Sequence, residues 1–423
     1  SDLDTETALG LLQDHGYLMT EDPARADILL VNTCGFIDSA KEESINTILE
    51  MAAYKEKGQC RLLVVTGCLA QRYEQELLTE IPEIDLILGV NQYASLPQAI
   101  QNALGGTKMH LCQDDHSYFE HSRLLTTPFY TAYTRIGEGC SNRCTFCAIP
   151  MIRGPYRSRD ENAILREIQS LSQQGVREHI LVAQDTTRYG TDAGSSSRLP
   201  DLIRKAASID GVDWLRVLYC YPDETSTELL DLLAVTPNIC PYLDIPIQHI
   251  NTDILHRMHR LGTREDILRA VHQAKERGLT IRTTLIVGFP GETDAQFEEL
   301  LQFIQETEFD RLGAFTYSPE EGTPAARMKD QVPEDIKQER FDRLMALQQD
   351  ISLKKNQARL NTVEKVLVTS TDTKGIYLGR SSREAPEIDG EIVFTSSRPV
   401  EPGSFVSVKL TRAEPYDLYG EIQ

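Results

Sequence analysis

Cys140, Cys144 and Cys147 form a Cys-x3-Cys-x2-Cys run directly behind Gly139. Three thiolates at this spacing can each take one iron of a [4Fe–4S] cluster, leaving the fourth iron without a protein ligand. An iron left open in this way can bind and reduce a small molecule, where a fully ligated cluster only relays electrons. Zinc would ask for four closed ligands, and no fourth Cys or His lies close by in the sequence. Three unligated structural thiols at this spacing in a loop would be unusual. The residues favour a cluster.

A second pair of thiols stands apart from the first set. Cys34 follows the apolar run Ile28 to Thr33, and Cys68 follows Leu62 to Gly67. Each ends a predicted parallel strand, so both face one crevice, where open α/β sheets place their sites. Two thiols alone are compatible with metal ligation or with inert core cysteines. Cys60, Cys112, Cys220 and Cys240 have no interpretable partner and read as structural. His249, His256 and His259 make no metal-site spacing, and the last two read as the solvated face of a helical stretch. The turn Gly288-Phe289-Pro290-Gly291-Glu292 carries residues that a strand-to-helix turn needs in any case. No residue stands out as a general base, so none is named as catalytic.

The elements that must hold these residues follow from the apolar rhythm. Residues 27–104 alternate short apolar runs at 27–32, 61–66 and 85–88 with helical patterns at 36–57 and 71–80, the mark of a parallel sheet covered on both faces. A polar stretch from Gly105 to Pro128 reads as a linker. From Thr131 six strand candidates follow, at 131–136, 179–183, 214–219, 242–247, 281–287 and 312–317. Helical segments at 162–174, 226–234, 264–277 and 295–306 separate several of them. Six such units predict a partial (β/α) barrel with its active rim at the strands' carboxyl ends. Residues 333–360 read as one long polar connector helix. Five short alternating strands after it predict a small closed β-barrel of OB-like size. The expected organisation is therefore α/β multidomain: a parallel-sheet domain over 1–110, the partial barrel over 128–355 and the small β-barrel over 359–423.

Composition narrows the partners. The 423 residues carry 43 Lys plus Arg against 64 Asp plus Glu, a net charge of −21. Residues 1–110 are net −10 and residues 359–423 net −2. No segment makes the basic footprint that a phosphate backbone favours. The absence of any long apolar run excludes a membrane-spanning helix from the reading. Nine cysteines in so long a chain do not make a disulfide scaffold, which points to a reducing, cytoplasmic setting. The chain opens on Ser1 rather than Met, so a preceding segment is expected.

The Cys-x3-Cys-x-aromatic-Cys run after the first strand of six βα units resembles the radical S-adenosylmethionine superfamily. That resemblance implies a cluster on Cys140, Cys144 and Cys147 whose open iron is chelated by S-adenosylmethionine. It also implies Phe146 near the adenine, and Gly288, Gly291 and Glu292 lining the cofactor pocket. The contexts Asn32-Thr33-Cys34 and Thr66-Gly67-Cys68 are similar to the methylthiotransferase family, whose small C-terminal barrel is a TRAM domain. In that family three cysteines hold an auxiliary [4Fe–4S] cluster. Cys34 and Cys68 supply two of them. The third lies a few residues upstream of an Asp-Ser/Thr-Glu segment that Asp4-Thr5-Glu6 resembles, so it is expected before Ser1.

Within the family, the runs 34–44, 149–154, 317–325 and 416–421 resemble the RimO-type branch. That branch methylthiolates the β-carbon of an aspartate on small-subunit ribosomal protein twelve. The resemblance implies two [4Fe–4S] clusters, S-adenosylmethionine, an electron donor, and that ribosomal protein as partner, free or on the ribosome. The acidity agrees, since a basic protein loop is attracted where an RNA backbone is repelled. The disfavoured alternatives are methylthiolation of adenosine in transfer RNA and a non-catalytic iron–sulfur or zinc scaffold.

Overall fold

A computed structural model of the chain describes residues 2–113, 120–194, 196–372 and 375–423. Ser1, the position expected to follow the third auxiliary cysteine, lies outside the described residues, as does 114–119 of the expected linker. The chain forms two compact units, each gathered from separate stretches. Ser1–Pro128, Glu138–Arg159 and Ser318–Ala326 make the first; Phe129–Gly137, Asp160–Tyr317 and Arg327–Gln423 make the second. The units cut across the three consecutive segments expected from sequence: residues 138–159 group with the N-terminal residues, and the small barrel shares a unit with 160–317.

The first unit is built on four parallel strands in sequential order: β1 (Ile28–Thr33), β2 (Leu62–Gly67), β3 (Leu86–Leu88) and β4 (Met109–Leu111). Every residue of β2 is buried, because a strand covered on both faces has no solvent side. Leu63 and Val65 pack with Ile48, Leu69 and Leu77 on one face. Leu62 and Val64 pack with Ala8, Leu11, Leu96 and Ile100 on the other. Two helices that the sequence pattern did not bring out, Asp2–Asp14 and Leu96–Leu104, cover that second face.

Three expectations for this unit need correction. The stretch expected as a linker contains β4, an edge strand too short to show a periodicity. The helix expected over 36–57 is Asp38–Ala52 followed by Tyr54–Lys57. The helix expected over 71–80 is Cys68–Arg72 and Glu74–Glu80. The second break falls at Tyr73, held at φ −129° while its hydroxyl donates to Glu321 Oε2 at 2.9 Å.

The second unit holds the six expected βα strands: β5 (Thr131–Arg135), β6 (Glu178–Val182), β7 (Trp214–Val217), β8 (Tyr242–Asp244), β9 (Thr280–Val287) and β10 (Arg311–Thr316). They pair in parallel as β5-β6-β7 and β8-β9-β10, and the two sets are joined by a bridge from Leu215 to Ile239 and by Cys220 N–H donating to Asp244 O at 2.9 Å. The ladder thins there because Pro241, between that bridge and β8, has no N–H to donate. Among the described residues nothing pairs β10 back to β5, so the barrel is open.

The five-stranded barrel closes in the order β11 (Val363–Thr371), β12 (Ile376–Ser381), β13 (Ile392–Thr395), β15 (Leu418–Ile422) and β14 (Phe405–Ala413). Val366, Val368, Ile392, Phe394, Val408 and Leu410 fill it. It stands on the amino ends of the βα strands, where Leu367 and Ala385 share a core with Tyr130, Trp214 and Tyr242. The carboxyl ends of those strands are left at the opposite side.

The helix Glu334–Gln357 is not the solvated connector its polarity predicts. It buries Lys337, Arg340, Leu344, Gln348, Ile351, Ser352 and Asn356 along one stripe. Those polar groups close backbone carbonyls: Gln348 donates to Phe309 at 3.0 Å, Asn356 to Glu414 at 2.9 Å and Lys337 to Tyr317 at 2.8 Å.

Candidate functional site

The register of the first sheet sets the two N-terminal cysteines at neighbouring strand ends. Thr33 pairs with Gly67 as the last residues of β1 and β2, so Cys34 and Cys68 leave adjacent strand ends side by side. Gly67 stands at φ 99°, and a Cβ there would lie 2.3 Å from the Thr33 carbonyl oxygen. A Cβ at Gly35 would meet Leu69 N at 2.8 Å. Each cysteine thus has beside it a glycine that lets the two chain segments touch. The Thr33 hydroxyl donates to Thr66 O at 2.6 Å, and Ser44 Oγ accepts from Cys34 N at 3.0 Å. Cys34 is exposed and Cys68 buried.

The loop carrying Cys140, Cys144 and Cys147 belongs to the same unit. Its ends are tied by Cys140 N–H donating to Gly154 O at 3.1 Å, and Cys147 N–H closes a turn on Cys144 O at 3.0 Å. Gly139 stands at φ 77°, where a Cβ would lie 2.3 Å from Pro155 O. Cys140 and Cys144 are buried and Cys147 half-buried. Phe146 is also half-buried. A cluster takes one thiolate per iron, so its ligands do not surround one point. Among the described residues no three Cys, His, Asp or Glu side chains converge as ligands of a single ion would. The pinned loop carries the three thiols that such a donor set requires.

Sequence reading did not find what lies behind Cys68. Arg153, 3% exposed, ends the short helix Ile149–Arg153. Its Nη1 donates to Glu138 Oε1 at 2.9 Å, and its Nη2 to Asp4 Oδ2 at 2.6 Å and to Cys68 Sγ at 3.5 Å. Burial works against the charged guanidinium, but Asp4 and Glu138 more than offset it, and its pKa stands above the ordinary value. Burial pushes the Cys68 thiol up while Arg153 pulls it back. The Asp4-Thr5-Glu6 segment is anchored throughout: Thr5 Oγ1 accepts from Asn32 Nδ2 at 2.8 Å and Glu6 Oε1 from Thr126 N at 2.9 Å. Val90, Ala148, Ile152 and Phe36 pack with Cys68.

In the second unit the Gly288–Glu292 turn follows β9 and leads into the helix Asp294–Thr307, whose capping box is Thr293 with Gln296. A Cβ at Gly288 would meet Lys337 Cγ at 2.3 Å, and one at Gly291 would meet Arg257 and Asp330, each at 2.4 Å. Both glycines have positive φ, 71° and 81°. Glu292, 4% exposed, accepts from Gly288 N at 2.9 Å and from Arg340 Nη1 at 2.7 Å. His249 Nε2 lies 3.1 Å from its other oxygen. Because Asn251 N–H donates to His249 Nδ1 at 3.0 Å, the ring proton sits on Nε2 and donates to Glu292. The Glu292 carboxylate is thereby committed to shaping the turn. His256 is exposed as expected; His259 is exposed but lies beyond the helix Thr252–Arg257 at φ 53°, a correction to its expected place. Cys60, Cys220 and Cys240 are buried and Cys112 half-buried, burial pushing Cys112 up to about 12 and Cys240 to about 11.

Residues 134–304 match the Radical SAM superfamily, residues 362–422 the TRAM domain, and residues 1–89 the Uncharacterized protein family UPF0004. The chain is 52% identical to the ribosomal protein uS12 methylthiotransferase RimO of Desulforamulus reducens, covering 99% of this chain and 96% of that protein. It is 47% identical to the protein of the same name from Heliobacterium modesticaldum, covering 99% and 92%. Among solved structures, the radical S-adenosylmethionine methyltransferase TsrM of Kitasatospora setae shares the fold with a TM-score of 0.57. There the identity is 14%, over 95% of this chain and 80% of that one. With half its residues identical to such relatives across nearly all of each chain, this chain belongs to the RimO family of ribosomal protein uS12 methylthiotransferases.

Proposed function

We propose that the chain methylthiolates ribosomal protein uS12 at the β-carbon of an aspartate, in the cytoplasm, using S-adenosylmethionine and two [4Fe–4S] clusters. The reading gives Cys140, Cys144 and Cys147 to one cluster and Cys34 and Cys68 to the other. It divides the chain into an auxiliary-cluster segment over 1–110, the radical partial barrel over 128–355 and the TRAM barrel over 359–423. When bound, the first cluster supplies the electron that splits S-adenosylmethionine and so generates the hydrogen-abstracting radical. The chain's own residues prepare that chemistry. Gly139 and Gly154 pin the cysteine loop. His249 and Arg340 fix Glu292, which accepts from the Gly288 N–H and so shapes the turn assigned to the cofactor. Phe146 offers an aromatic face for the adenine.

The observation that carries the reading is the pairing of Thr33 with Gly67, which sets two thiols at neighbouring strand ends in the unit that also holds the three-cysteine loop. The test is full-length protein reconstituted anaerobically with iron and sulfide, given reductant and S-adenosylmethionine, and offered uS12 and transfer RNA together. A methylthio group on an aspartyl peptide is the expected result. Its appearance on adenosine would overturn the substrate assignment.

A further inference from the structure

Arg153 touches three separate stretches of the first unit at once. Its helix directly follows the loop of Cys140, Cys144 and Cys147, and its guanidinium reaches Glu138 before that loop, Asp4 in the first helix and Cys68 after β2. Asp4 is 1% and Glu138 3% exposed. Only a planar fork offers donors in such different directions; an ammonium group acts from one point. Two carboxylates already neutralise one guanidinium twice over, so the charge balance does not require a further partner. Yet Nη2 is shared with the Cys68 sulfur at 3.5 Å. A thiol sulfur is a weak acceptor, whereas a metal-bound thiolate takes such a hydrogen bond well, and bonds to ligand sulfurs are among the levers that set a cluster's potential.

We propose that Arg153 is a positioning residue for the group held at Cys68: it fixes the sulfur by an N–H donation that raises that group's reduction potential. The inference rests on the reading of Cys68 as a ligand. By anchoring on Asp4 and Glu138, the same side chain ties the segment that bears the other three cysteines to the sulfur it orients. A purely structural clamp would need the two carboxylates and not the sulfur.

The test uses the full-length protein with Cys140, Cys144 and Cys147 all changed to Ala, so that remaining iron reports on the other set. Iron and sulfide are counted after reconstitution, and the midpoint is read by redox titration followed by electron paramagnetic resonance. Arg153→Lys and Arg153→Met are expected to shift the midpoint to more negative potential, and Asp4→Asn, which weakens the clamp and spares the sulfur contact, to leave it in place. A midpoint unmoved in both Arg153 variants, or moved as far by Asp4→Asn, overturns the proposal. Absence of iron in the parent with Arg153 intact overturns the ligand reading instead. Should the Arg153 variants lose iron, the same changes are made with Cys34 and Cys68 as Ala and the other three restored. Full iron there supports the positioning role, and a matching loss refutes it.

Discussion

Glu178 and Arg380 stand 202 residues apart in sequence, and Arg380 Nη2 meets the Glu178 carboxylate at 2.6 Å with the carboxylate wholly buried. Arg216 Nε adds a second contact to it at 3.1 Å. The first residue of β6 is thus locked to β12 of the small barrel. Arg311 and Arg359 make the same kind of join with Glu384. Because these contacts use the amino ends of the βα strands, the TRAM barrel is fastened on the side away from the strands' carboxyl ends.

This lock makes acid stability predictable. Burial raises the Glu178 pKa, but Arg380 and Arg216 overcome it and hold the carboxyl down at about 2 against an ordinary 4.5. A depressed folded value means the contribution is complete above the unfolded value and is lost as pH falls through the folded one. Urea unfolding of the wild type should therefore weaken between pH 4.5 and about 2. Glu178→Gln should lose about 3 kcal/mol at pH 7, the range for breaking one side of a buried pair, and show a flatter acid limb over that window. An acid limb as steep as the wild type's would assign the transition to other carboxylates.

A second prediction concerns Gly67. Alanine there must accept a φ of 99° and place its Cβ 2.3 Å from the Thr33 carbonyl oxygen. The strain alone costs about 1–3 kcal/mol, and relieving it would push Cys68 away from Cys34. Gly67→Ala should fold with reduced stability and retain less iron than wild type. Gly175→Ala is the control, because φ there is also positive and a Cβ meets nothing within 4 Å. Equal iron in the two variants would show that the close approach of the strand ends is not what matters.

The strands of the first sheet were legible in the sequence because buried parallel strands are continuous apolar runs, as in β2. The run of Cys140, Cys144 and Cys147 stands out because its spacing is local, whereas Cys34 and Cys68 stand out only because each follows an apolar run. Long-range polar burial was not legible. Lys337, Arg340, Gln348 and Asn356 look like a solvated stripe until their carbonyl and carboxylate partners are known. Arg153 looked like one letter of a family motif, although it joins residues 149 and 85 positions away. Glu292 was expected to line the cofactor pocket, but only the fold shows its carboxylate occupied by His249, Arg340 and the Gly288 amide. Partners that distant leave no periodic trace.

That occupation gives a third prediction. Glu292→Gln removes the charge facing Arg340, which is 5% exposed and keeps Asp294 as a carboxylate partner. The turn from Gly288 to Gly291 should then lose its fixed shape. Equilibrium dialysis of S-adenosylmethionine against reconstituted protein should show binding weakened roughly tenfold, equivalent to about 1.4 kcal/mol. His249→Ala should act in the same direction, since it removes the proton donated to the other carboxylate oxygen. Unchanged affinity in both variants would mean that the turn keeps its shape without them.

The last prediction separates the two cysteine sets. On the proposed assignment, replacing Cys140, Cys144 or Cys147 with Ala removes one of three protein ligands of a cluster whose fourth iron stays open, and two thiolates cannot hold that geometry. Each should abolish release of 5′-deoxyadenosine, measured by chromatography after adding dithionite. Cys34 and Cys68 lie instead at the ends of β1 and β2, outside the loop assigned to the cleavage step. Cys34→Ala and Cys68→Ala should still release 5′-deoxyadenosine while the aspartyl peptide of uS12 gains no methylthio group by mass spectrometry. A Cys34→Ala protein that still transfers the group would remove Cys34 from the sulfur-delivering site. Loss of cleavage in that variant would show that the two sets act as one.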